Sequence, residues 1–354
     1  MKVFDGKRIL VTGGTGSLGK VLIRRLLSGG NGQPEQIVVF SRDEAKQHFM
    51  RLEYLKKRGA TDEIIYKNFQ DLLTFRIGDV RDFHSVSEVV RKADIIFNAA
   101  ALKQVPTCEY FPFEAVETNI KGAENIVRAI REHDLAVQTV VGISTDKAVK
   151  PVNVMGMTKA IQERVFIKAN LDCPKTRFVC VRYGNVLASR GSVIPYFHEQ
   201  IKNGGPVTIT TPDMTRFLLS LDQAVDTVFA AVAKGERGET YIPIVPSAKV
   251  TDIADVLIGN RPIKKTITGI RPGEKVHEIL VSEEEVHRTV KKGDYYAIQP
   301  ILPEITKGKP IKPSLTQEYS SADSLMTKKE LEALLRRNRL MVGDRLIEDG
   351  EILG

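Results

Sequence analysis

The chain has 354 residues, which is enough for two domains or for one large α/β domain that carries a smaller lobe. Hydrophobic residues make up 42% and charged residues 27%, a composition that excludes disordered, fibrous and membrane-spanning proteins. The 52 Lys and Arg residues exceed the 44 Asp and Glu residues by 8, but they are spread along the chain, and Trp, which could stack on bases, is absent. We therefore expect no nucleic-acid partner, since a small anionic substrate uses the positive charge equally well.

Other general features of the sequence predict a cytoplasmic protein. No apolar run approaches the roughly 20 residues that span a bilayer, so we expect no membrane insertion. The first residues lead directly into a short strand-like run and glycines, without the long apolar stretch of a signal peptide. The 3 cysteines contain no C-x-x-C pair and the 6 histidines have no metal-ligand spacing, so we expect neither a disulfide framework nor a bound metal.

Short β-branched runs alternate with helical patterns from Lys7 to about Arg182, which predicts a parallel sheet covered by helices on both faces. Right-handed crossovers make such a chain a doubly wound, Rossmann-type α/β fold. The predicted strands are Arg8–Thr12, Gln36–Ser41, Thr74–Ile77, Ile95–Ala99, Val137–Ser144 and Arg177–Arg182. The predicted helices are Ser17–Leu27, Asp43–Lys57, His84–Val90, Phe113–Glu132 and Asn153–Asn170.

Beyond Gly184 the alternation loosens, and clusters of Gly and Pro separate shorter elements. We expect a smaller C-terminal lobe in this part of the chain. The predicted division is a first domain at 1–183, a lobe at 184–314 that is interleaved with it, and a peripheral C-terminal segment at 315–354. This last segment contains a charged helix candidate, Lys328–Arg337.

A glycine-rich loop joins the first predicted strand to the first predicted helix. Its sequence is T-G-G-T-G-S-L-G, with the spacing G-x-x-G-x-x-G. At a strand-to-helix junction this spacing permits a tight turn, close approach of the backbone to a pyrophosphate, and phosphates at the helix N-terminus. The loop therefore predicts that the first domain binds a dinucleotide. We expect the lobe at 184–314 to bind the substrate. The predicted contacts in the loop are Gly13, Thr15, Gly16, Ser17, Leu18 and Gly19.

The end of the second predicted strand distinguishes between two cofactors. An acid at this position takes the ribose hydroxyls of NAD, whereas this chain has Ser41 and Arg42, with Lys46 one helical turn later. A hydroxyl and two cations suit a 2′-phosphate, so NADP is preferred over NAD. Alternatively, the two cations are surface charges at a helix start, and Asp43 is a plain N-cap. The ends of the third and fourth strands add Asp79, Val80, Ala99, Ala100 and Ala101 to the predicted cofactor site.

The fifth predicted strand leads into Ser144–Lys147, and the next helix carries Met155 and Lys159 four residues apart. With the glycine loop, this pattern resembles the extended short-chain dehydrogenases/reductases, whose usual pair is Tyr-x-x-x-Lys. More narrowly, five motifs in order resemble the UDP-N-acetylglucosamine 4,6-dehydratases, and the resemblance covers about Lys7 to Leu325. The motifs are Ala99–Pro106 (AAALKQVP), Ser144–Lys147 (STDK), Arg182–Val186 (RYGNV), Ser189–Pro195 (SRGSVIP) and Arg271–Glu278 (RPGEKVHE).

The resemblance implies that the chain dehydrates a UDP-sugar with NADP. Oxidation at carbon 4 acidifies the proton on carbon 5, water is then lost across carbons 5 and 6, and the hydride returns to carbon 6. By this resemblance Asp146 is the acid and Lys147 the base of the elimination, which requires a raised pKa for Asp146 and a lowered pKa for Lys147. Lys159 is expected to hydrogen-bond the nicotinamide ribose.

Met155 departs from the superfamily pattern, because it stands where the usual Tyr stands and cannot exchange a proton. Thr145, Asp146 or Lys147 must then handle the proton of the carbon 4 hydroxyl, and the sequence leaves this choice open. For the cofactor, the resemblance implies further contacts from Tyr183, Asn185 and Val186. For the UDP-sugar, it implies contacts from Lys103, Asn185, Ser189, Arg190, Thr215, Arg216, Arg271 and Glu274.

Two alternative functions are compatible with the sequence. A UDP-sugar 4-epimerase of the same superfamily would return the hydride to carbon 4, which leaves the adjacent Asp146 and Lys147 unexplained. A catalytically silent NADP-binding protein would explain Met155. Retention or inversion at carbon 5 stays open.

Relatives build dimers from the helices that correspond to Phe113–Glu132 and Asn153–Asn170, so we expect a homo-oligomer, either a dimer or a larger assembly.

Overall fold

The computed structural model describes residues 2–56, 68–187, 192–270, 273–308, 310–344, 347–348 and 351–352. The first strands along the chain are β1 Arg8–Thr12, β2 Gln36–Ser41, β3 Leu73–Ile77, β4 Ile95–Asn98, β5 Thr139–Thr145 and β6 Arg177–Tyr183. They are followed by β7 Val207–Ile209, β8 Thr215–Phe217, β9 Thr240–Pro243, β10 Ser247–Lys249, β11 Lys265–Ile267 and β12 Ile279–Val281. The last are β13 Thr289–Lys292, β14 Tyr295–Ile298, β15 Tyr319–Ser320, β16 Ile347–Glu348 and β17 Glu351–Ile352.

Helices alternate with the first six strands and then recur in the lobe. The first are α1 Ser17–Leu27, α2 Glu44–Lys56, α3 Phe83–Val90, α4 Val105–Tyr110, α5 Pro112–Ala115 and α6 Gly122–Glu132. They continue with α7 Val154–Asp172, α8 Val193–Lys202, α9 Leu221–Lys234 and α10 Val250–Ile258. The last are α11 Glu283–Val286, α12 Pro303–Thr306 and α13 Lys328–Arg337. A π-helical turn at Val116–Lys121 precedes α6, and a 3-10 turn at Asp146–Ala148 follows β5.

The main sheet has the doubly wound arrangement that the alternating pattern predicts. Strands β3, β2, β1, β4, β5 and β6 lie side by side in that order, and all are parallel. β9 adds in parallel to β6, and β14 and β13 complete the nine strands in antiparallel orientation. The strand order reverses between β1 and β4, and ligands of such sheets bind in the crevice at that point. The predicted fold class is therefore confirmed.

Apolar side chains fill both faces of this sheet. On one face, α1 and α9 bury residues such as Leu22 and Val228 against it. On the other face, α3, α6 and α7 bury residues such as Val86, Ile126 and Phe166. Six of the seven residues of β5 are buried, which is typical of a parallel strand covered by helices on both sides. This packing fixes the carboxyl end of β5, from which the candidate catalytic residues project.

The lobe beyond β6 has a core of its own, formed by α8, β7, α10 and α13. The segment from residue 315 onward, which the sequence predicts to be peripheral, contributes Leu331 and Leu335 to this core, both 0% exposed. In the same segment β15 pairs with β12. The C-terminal segment is thus joined to the lobe through buried side chains and strand pairing.

One predicted helix differs in detail from the structure. The pattern predicts a continuous helix over Phe113–Glu132, whereas the structure has α5, the π-helical turn and α6 in succession. Within the π-helical turn, Asn119 is 0% exposed and bonds both Leu102 and Thr158. Such turns often place a residue at a functional site. Along the described ranges, no helix is long and apolar enough to cross a bilayer, and no group of three or more potential metal ligands occurs.

Candidate active site

The glycine-rich loop between β1 and α1 has the geometry of a phosphate cradle. Gly13 has φ +66°, and a Cβ at this position would lie 2.7 Å from the backbone nitrogen of Ala100. A Cβ on Gly19 would lie 2.6 Å from the carbonyl oxygen of Gly14, so the close packing of strand and helix also requires glycine there. Gly16 is the N-cap of α1 and provides no side-chain cap, which leaves the first helical N–H groups to a ligand anion.

A cleft next to this loop brings together many of the predicted cofactor residues. The residues that line it are Gly13, Phe40, Ser41, Arg42, Gly78, Asp79, Val80, Ala100, Ala101, Leu102 and Thr118. Thr15 Oγ1 lies 3.0 Å from Ser41 Oγ, which ties the glycine loop to the end of β2. The cleft therefore lies at the carboxyl ends of β1, β2, β3 and β4, where the fold is expected to bind a dinucleotide.

The two cations predicted to select NADP have different surroundings. Lys46 Nζ lies 3.4 Å from Asp43 Oδ2, and Asp43 Oδ1 accepts a 2.9 Å hydrogen bond from the Lys46 backbone. Asp43 thus has the capping role considered as an alternative. Arg42 lines the cleft with its side chain 55% exposed, and its Nη1 is 3.8 Å from Asp79 Oδ2. Burial raises the pKa of Asp79, but hydrogen bonds from Arg81 lower it below its usual range, so this carboxylate is charged.

The turn after β5 holds a buried carboxylate beside an ammonium group. Asp146 is 0% exposed, and its Oδ1 accepts a 2.7 Å hydrogen bond from Thr145 Oγ1. Lys147 Nζ lies 3.2 Å from the same oxygen. The other oxygen, Oδ2, is buried without a hydrogen-bond partner in the described part of the chain. One oxygen of this carboxylate is therefore fixed by two donors, and the other keeps an unused acceptor position.

A second buried carboxylate, Glu278, faces the same ammonium group. Glu278 Oε1 lies 3.8 Å from Lys147 Nζ and 3.7 Å from Arg216 Nε. Glu278 is 3% exposed, and its Oε2 has no hydrogen-bond partner among the residues that the structure describes. Glu278 ends the motif RPGEKVHE, but the sequence suggests no task for it.

The electrostatics of this cluster correct one expectation. Burial lowers the pKa of Lys147, but the carboxylates of Asp146 and Glu278 raise it by more, and the net pKa is above the usual value. The lowered pKa expected for a base is therefore not found in the resting site, because two anions face a single ammonium group. Burial raises the pKa of Glu278 in turn.

Helix α7 carries the other predicted catalytic lysine. Lys159 is 5% exposed and its Nζ donates to Gln162 Oε1 at 2.5 Å; burial lowers the pKa of Lys159 to about 8. Met155, in the position of the usual Tyr, is 4% exposed and packs in an apolar cluster with Cys108 and Ala115. The Met side chain is thus a packing group that cannot move a proton.

Gly156 lies where α7 packs against the turn at Asp146–Ala148, the candidate catalytic turn. A Cβ on Gly156 would lie 2.1 Å from the carbonyl oxygen of Lys147. The backbone N–H of Gly156 also donates to the N-cap side chain of Asn153 at 2.8 Å. Asn153 Nδ2 in turn donates to the carbonyl of Gly273 at 3.0 Å, so the helix start also contacts the motif RPGEKVHE.

The predicted substrate residues are only partly brought together. Thr215 and Arg216 on β8 are buried beside Glu278, and Arg216 Nη1 donates to the carbonyls of Thr215 and Val276 at 2.7 and 3.2 Å. Asn185 Oδ1 and Glu274 Oε2 are buried acceptors that lack a partner within the described ranges. Lys103 is exposed in the segment after β4. Ser189, Arg190 and Arg271 lie outside the described residues.

Residues near Thr215 include two that the sequence did not identify. His277 Nδ1 lies 2.8 Å from Thr215 Oγ1, and Ser321 Oγ lies 2.7 Å from the same atom. Ser321 Oγ also accepts a 2.9 Å hydrogen bond from the backbone of Glu278. Ser321 is 106 residues from Thr215, and no local pattern in the sequence marks it. Glu278 is an acidic residue directly before the apolar run that forms β12, and this position is a signal that could have identified it as a candidate site residue.

The remaining predicted cofactor residues lie at the end of β6. Tyr183 is half-buried, and burial raises the pKa of its hydroxyl. Val186 forms a bridge with Leu219, which draws the chain after β6 towards the segment that leads into α9. Gly184 lies next to the candidate catalytic turn, because a Cβ at this position would be 3.4 Å from Asp146 Oδ2.

Known proteins with similar sequences include both epimerases and dehydratases. A UDP-glucose 4-epimerase of Rickettsia bellii (strain OSU 85-389) is 43% identical over 301 residues, which are 84% of this chain and 84% of that protein. The inverting UDP-N-acetylglucosamine 4,6-dehydratase of Campylobacter jejuni (serotype O:23/36, strain 81-176) is 41% identical over 303 residues, 85% of each chain. The chain thus resembles enzymes with both names to a similar degree.

Solved structures extend the similarity across almost the whole fold. Pen from Bacillus thuringiensis is 33% identical, with a TM-score of 0.83 over 96% of this chain and 99% of that one. The dTDP-glucose 4,6-dehydratase DesIV from Streptomyces venezuelae shares the fold, with a TM-score of 0.62 at 18% identity over 94% and 98% of the two chains. The family model described as polysaccharide biosynthesis protein matches residues 9–300, and the chain therefore belongs to that family.

Proposed function

We propose that this protein is a cytoplasmic, NADP-dependent UDP-N-acetylglucosamine 4,6-dehydratase that produces a UDP-4-keto-6-deoxy-N-acetylhexosamine. The observation that carries the proposal is the turn after β5, where the buried carboxylate of Asp146 has one free oxygen and lies 3.2 Å from Lys147 Nζ. An elimination needs one group to take a proton and a neighbouring group to give one. The similarity to a named dehydratase supports this assignment.

The residues of the glycine loop and the adjoining cleft fit a dinucleotide. The uncapped start of α1 and the glycine positions that a Cβ would obstruct suit a pyrophosphate, and Arg42 offers its exposed guanidinium to a 2′-phosphate. We expect Lys159, which is buried on α7, to hydrogen-bond the nicotinamide ribose. When bound, NADP would supply the hydride acceptor for carbon 4 of the sugar and the hydride donor for carbon 6.

The chain's own residues carry the proton transfers. Thr145 Oγ1 donates a hydrogen bond to Asp146, so Thr145 can take the proton of the carbon 4 hydroxyl while it passes its own hydroxyl proton to the Asp146 carboxylate. Asp146 and Lys147 then share the elimination: one takes the proton from carbon 5, and the other protonates the carbon 6 hydroxyl, which leaves as water. A proton returns to carbon 5 when carbon 6 receives the hydride. Because Lys147 is protonated in the resting site, it can act as the base only after it has released that proton.

The product identifies the reaction. We would incubate the protein with UDP-N-acetylglucosamine and NADP in deuterated water and follow the sugar by proton NMR. A 4-keto-6-deoxy product with deuterium at carbon 5 supports the proposal, and the ring couplings distinguish retention from inversion. If the carbon 4 epimer is the product, the protein is a UDP-sugar 4-epimerase, which the named epimerase relatives favour as the second candidate. Cofactor binding without any turnover of UDP-sugars would indicate a silent NADP-binding protein.

The preference for NADP depends on Arg42. Arg42→Ala should weaken NADP binding roughly tenfold, because a charge-assisted hydrogen bond to the 2′-phosphate is lost. NAD lacks this phosphate and serves as the internal control, since its affinity should not change. Equal weakening of both cofactors in a titration calorimeter would contradict this preference.

We also propose that the protein forms a homo-oligomer. Large apolar side chains are exposed around α4, α5 and α7, and they include Tyr110 (83%), Phe113 (80%), Met157 (47%) and Ile161 (48%). An apolar surface of this kind is typical of an interface. Sedimentation velocity should give a dimer or larger species, and Phe113→Glu should shift it towards monomer.

A further inference from the structure

Glu278 has the surroundings of a group that controls another residue. Its carboxylate is almost completely buried and lies between Lys147 Nζ at 3.8 Å and Arg216 Nε at 3.7 Å. Both separations exceed the length of a good hydrogen bond, so the carboxylate acts on these cations through its charge. Its backbone N–H donates to Ser321 Oγ, which fixes the residue at the start of β12.

The charges that face one another here are few. Two carboxylates, Asp146 and Glu278, face the ammonium of Lys147, and Arg216 and Lys275 are the other cations that act on Glu278. Lys275 Nζ donates to the carbonyl of Val149, which holds its charge at the edge of the catalytic turn. Because both carboxylates are buried and the Lys147 side chain is 25% exposed, their charges act on the ammonium group with less screening than at the surface.

We propose that Glu278 is a positioning residue that sets the protonation state of Lys147. While Glu278 is charged, Lys147 faces two anions and keeps its proton. When Glu278 is neutral, Lys147 faces Asp146 alone and releases its proton more readily. Burial, which raises the pKa of Glu278, makes the neutral form accessible. For catalysis this inference depends on the proposed function, because the ionisation of Lys147 affects turnover only if Lys147 moves a proton there.

The ionisation of Lys147 can be measured without turnover. In protein labelled with [6-13C]lysine, the Lys147 resonance is assigned by its absence in Lys147→Arg, and its pKa is read from an NMR titration. Glu278→Gln removes the charge at nearly constant shape, so the pKa of Lys147 should fall by about 1 unit or more. Glu278→Asp keeps the charge one methylene further back and should produce a smaller fall. This second variant also tests the inference if Glu278→Gln does not fold.

The matched control is Glu239→Gln, because Glu239 is also buried and pairs with a lysine, Lys292, away from the turn. This variant should leave the pKa of Lys147 unchanged. An unchanged Lys147 pKa in folded Glu278→Gln, or in folded Glu278→Asp if only that variant folds, would overturn the inference. If the pKa of Lys147 falls but no variant or wild-type protein converts UDP-N-acetylglucosamine, the control of Lys147 stands and the proposed function fails. If the protein turns over the substrate, Glu278→Gln should move the limb of the pH–rate profile that reports Lys147 to lower pH, by the same amount as the fall in the Lys147 pKa.

Discussion

Two clusters of buried charges differ in how completely their polar atoms are paired. Around Arg182, which is 3% exposed, each carboxylate oxygen of Glu163 and Glu285 accepts a guanidinium hydrogen bond, at distances from 2.6 to 3.2 Å. The guanidinium also donates to the carbonyl of Leu280 at 2.9 Å. This cluster joins α7 and β6 to the lobe and leaves no carboxylate oxygen of the pair free.

Around Lys147 the pairing is incomplete. Asp146 and Glu278 each keep one buried oxygen without a partner in the described chain, and the contacts to Glu278 are 3.7 and 3.8 Å long. An unpaired buried acceptor costs stability, and such groups persist where they serve a ligand or a reaction. The comparison teaches that a charge cluster whose polar atoms are all paired holds the fold together, whereas the cluster that we propose for catalysis keeps unpaired atoms.

The largest effect on stability is expected from breaking the fully paired cluster around Arg182. Arg182→Met leaves Glu163 and Glu285 without their shared cation, so the free energy of unfolding should fall by about 3–5 kcal/mol. Urea denaturation measures this. The matched control is Arg336→Met, whose guanidinium pairs with Glu332 on the surface with its side chain 64% exposed, and which should change stability by less than about 1 kcal/mol. A similar small loss for Arg182→Met would contradict the structural role.

Substitutions in the incompletely paired cluster around Lys147 should lower activity more than stability. Asp146→Asn removes a proton-transfer group, so kcat should fall by about 10³-fold, which corresponds to about 4 kcal/mol in the activation barrier. The free energy of unfolding should fall by less than in Arg182→Met, because Asn keeps the shape of the side chain and Glu278 still faces the ammonium of Lys147. Asp255→Asn, which removes a carboxylate that pairs with Lys265 and Lys328 in the lobe, should leave kcat nearly unchanged. Loss of stability with kcat retained in Asp146→Asn would reverse the comparison.

The two clusters should also differ in pH dependence. Burial raises the pKa of Glu285, but Arg182 lowers it to about 2, well below the ordinary 4.5. The stability gained, on the order of 3 kcal/mol, is fully present above pH 4.5 and is lost as the pH falls towards 2. The raised pKa of Glu278 has the opposite effect on stability. The charged form of Glu278 destabilises the fold, and this cost disappears as the pH falls through the pKa that Glu278 has in the folded protein.

Unfolding free energies of wild type, Glu285→Gln and Glu278→Gln, measured between pH 7 and 2.5, check both signs. The advantage of wild type over Glu285→Gln should shrink as the pH falls. In contrast, the free energy of unfolding of wild type should rise relative to that of Glu278→Gln as the pH falls. Differences that do not vary with pH would show that neither carboxylate is perturbed as described.

A smaller effect is expected where α7 meets the catalytic turn. Gly156→Ala places a methyl group 2.1 Å from the carbonyl oxygen of Lys147, so the turn or the helix must shift. We expect a loss of about 1–3 kcal/mol in stability, as for other overpacked sites, together with a lower kcat. Gly30→Ala is the control, because its Cβ would have only Ser28 Oγ within contact, at 4.0 Å. An unaltered kcat in Gly156→Ala would show that this contact does not position the turn.

The sequence predicted the parts of the molecule whose cause is local. The strands of the parallel sheet, the glycine loop and the turn after β5 each follow from a short pattern of apolar residues, glycines or a motif. Asp146 and Lys147 are neighbours in the chain, so their proximity needed no knowledge of the fold. The break in the helix before α6 has no such local signal.

The sequence could not predict features that depend on contacts across the chain. Glu278 meets Lys147 only because β12 lies beside the catalytic turn, and Ser321 reaches Thr215 across 106 residues. The carboxylates of Asp146 and Glu278 together raise the pKa of Lys147, and only Asp146 is its neighbour in the chain, which explains why the expectation of a lowered pKa was wrong. The domain boundaries at 183 and 314 stay predictions. Strands from the first domain and strands from the lobe belong to one sheet, so the sheet does not mark a boundary.

The fate of the hydrogen on carbon 4 tests the central claim most directly. We would supply UDP-N-acetylglucosamine that carries deuterium at carbon 4, with NADP and wild-type protein in ordinary water, and locate the label in the product by NMR and mass spectrometry. A 4,6-dehydratase moves this label to the methyl group at carbon 6. A label that stays on carbon 4 of an epimerised sugar would contradict the dehydratase assignment and show that Asp146 and Lys147 do not carry an elimination.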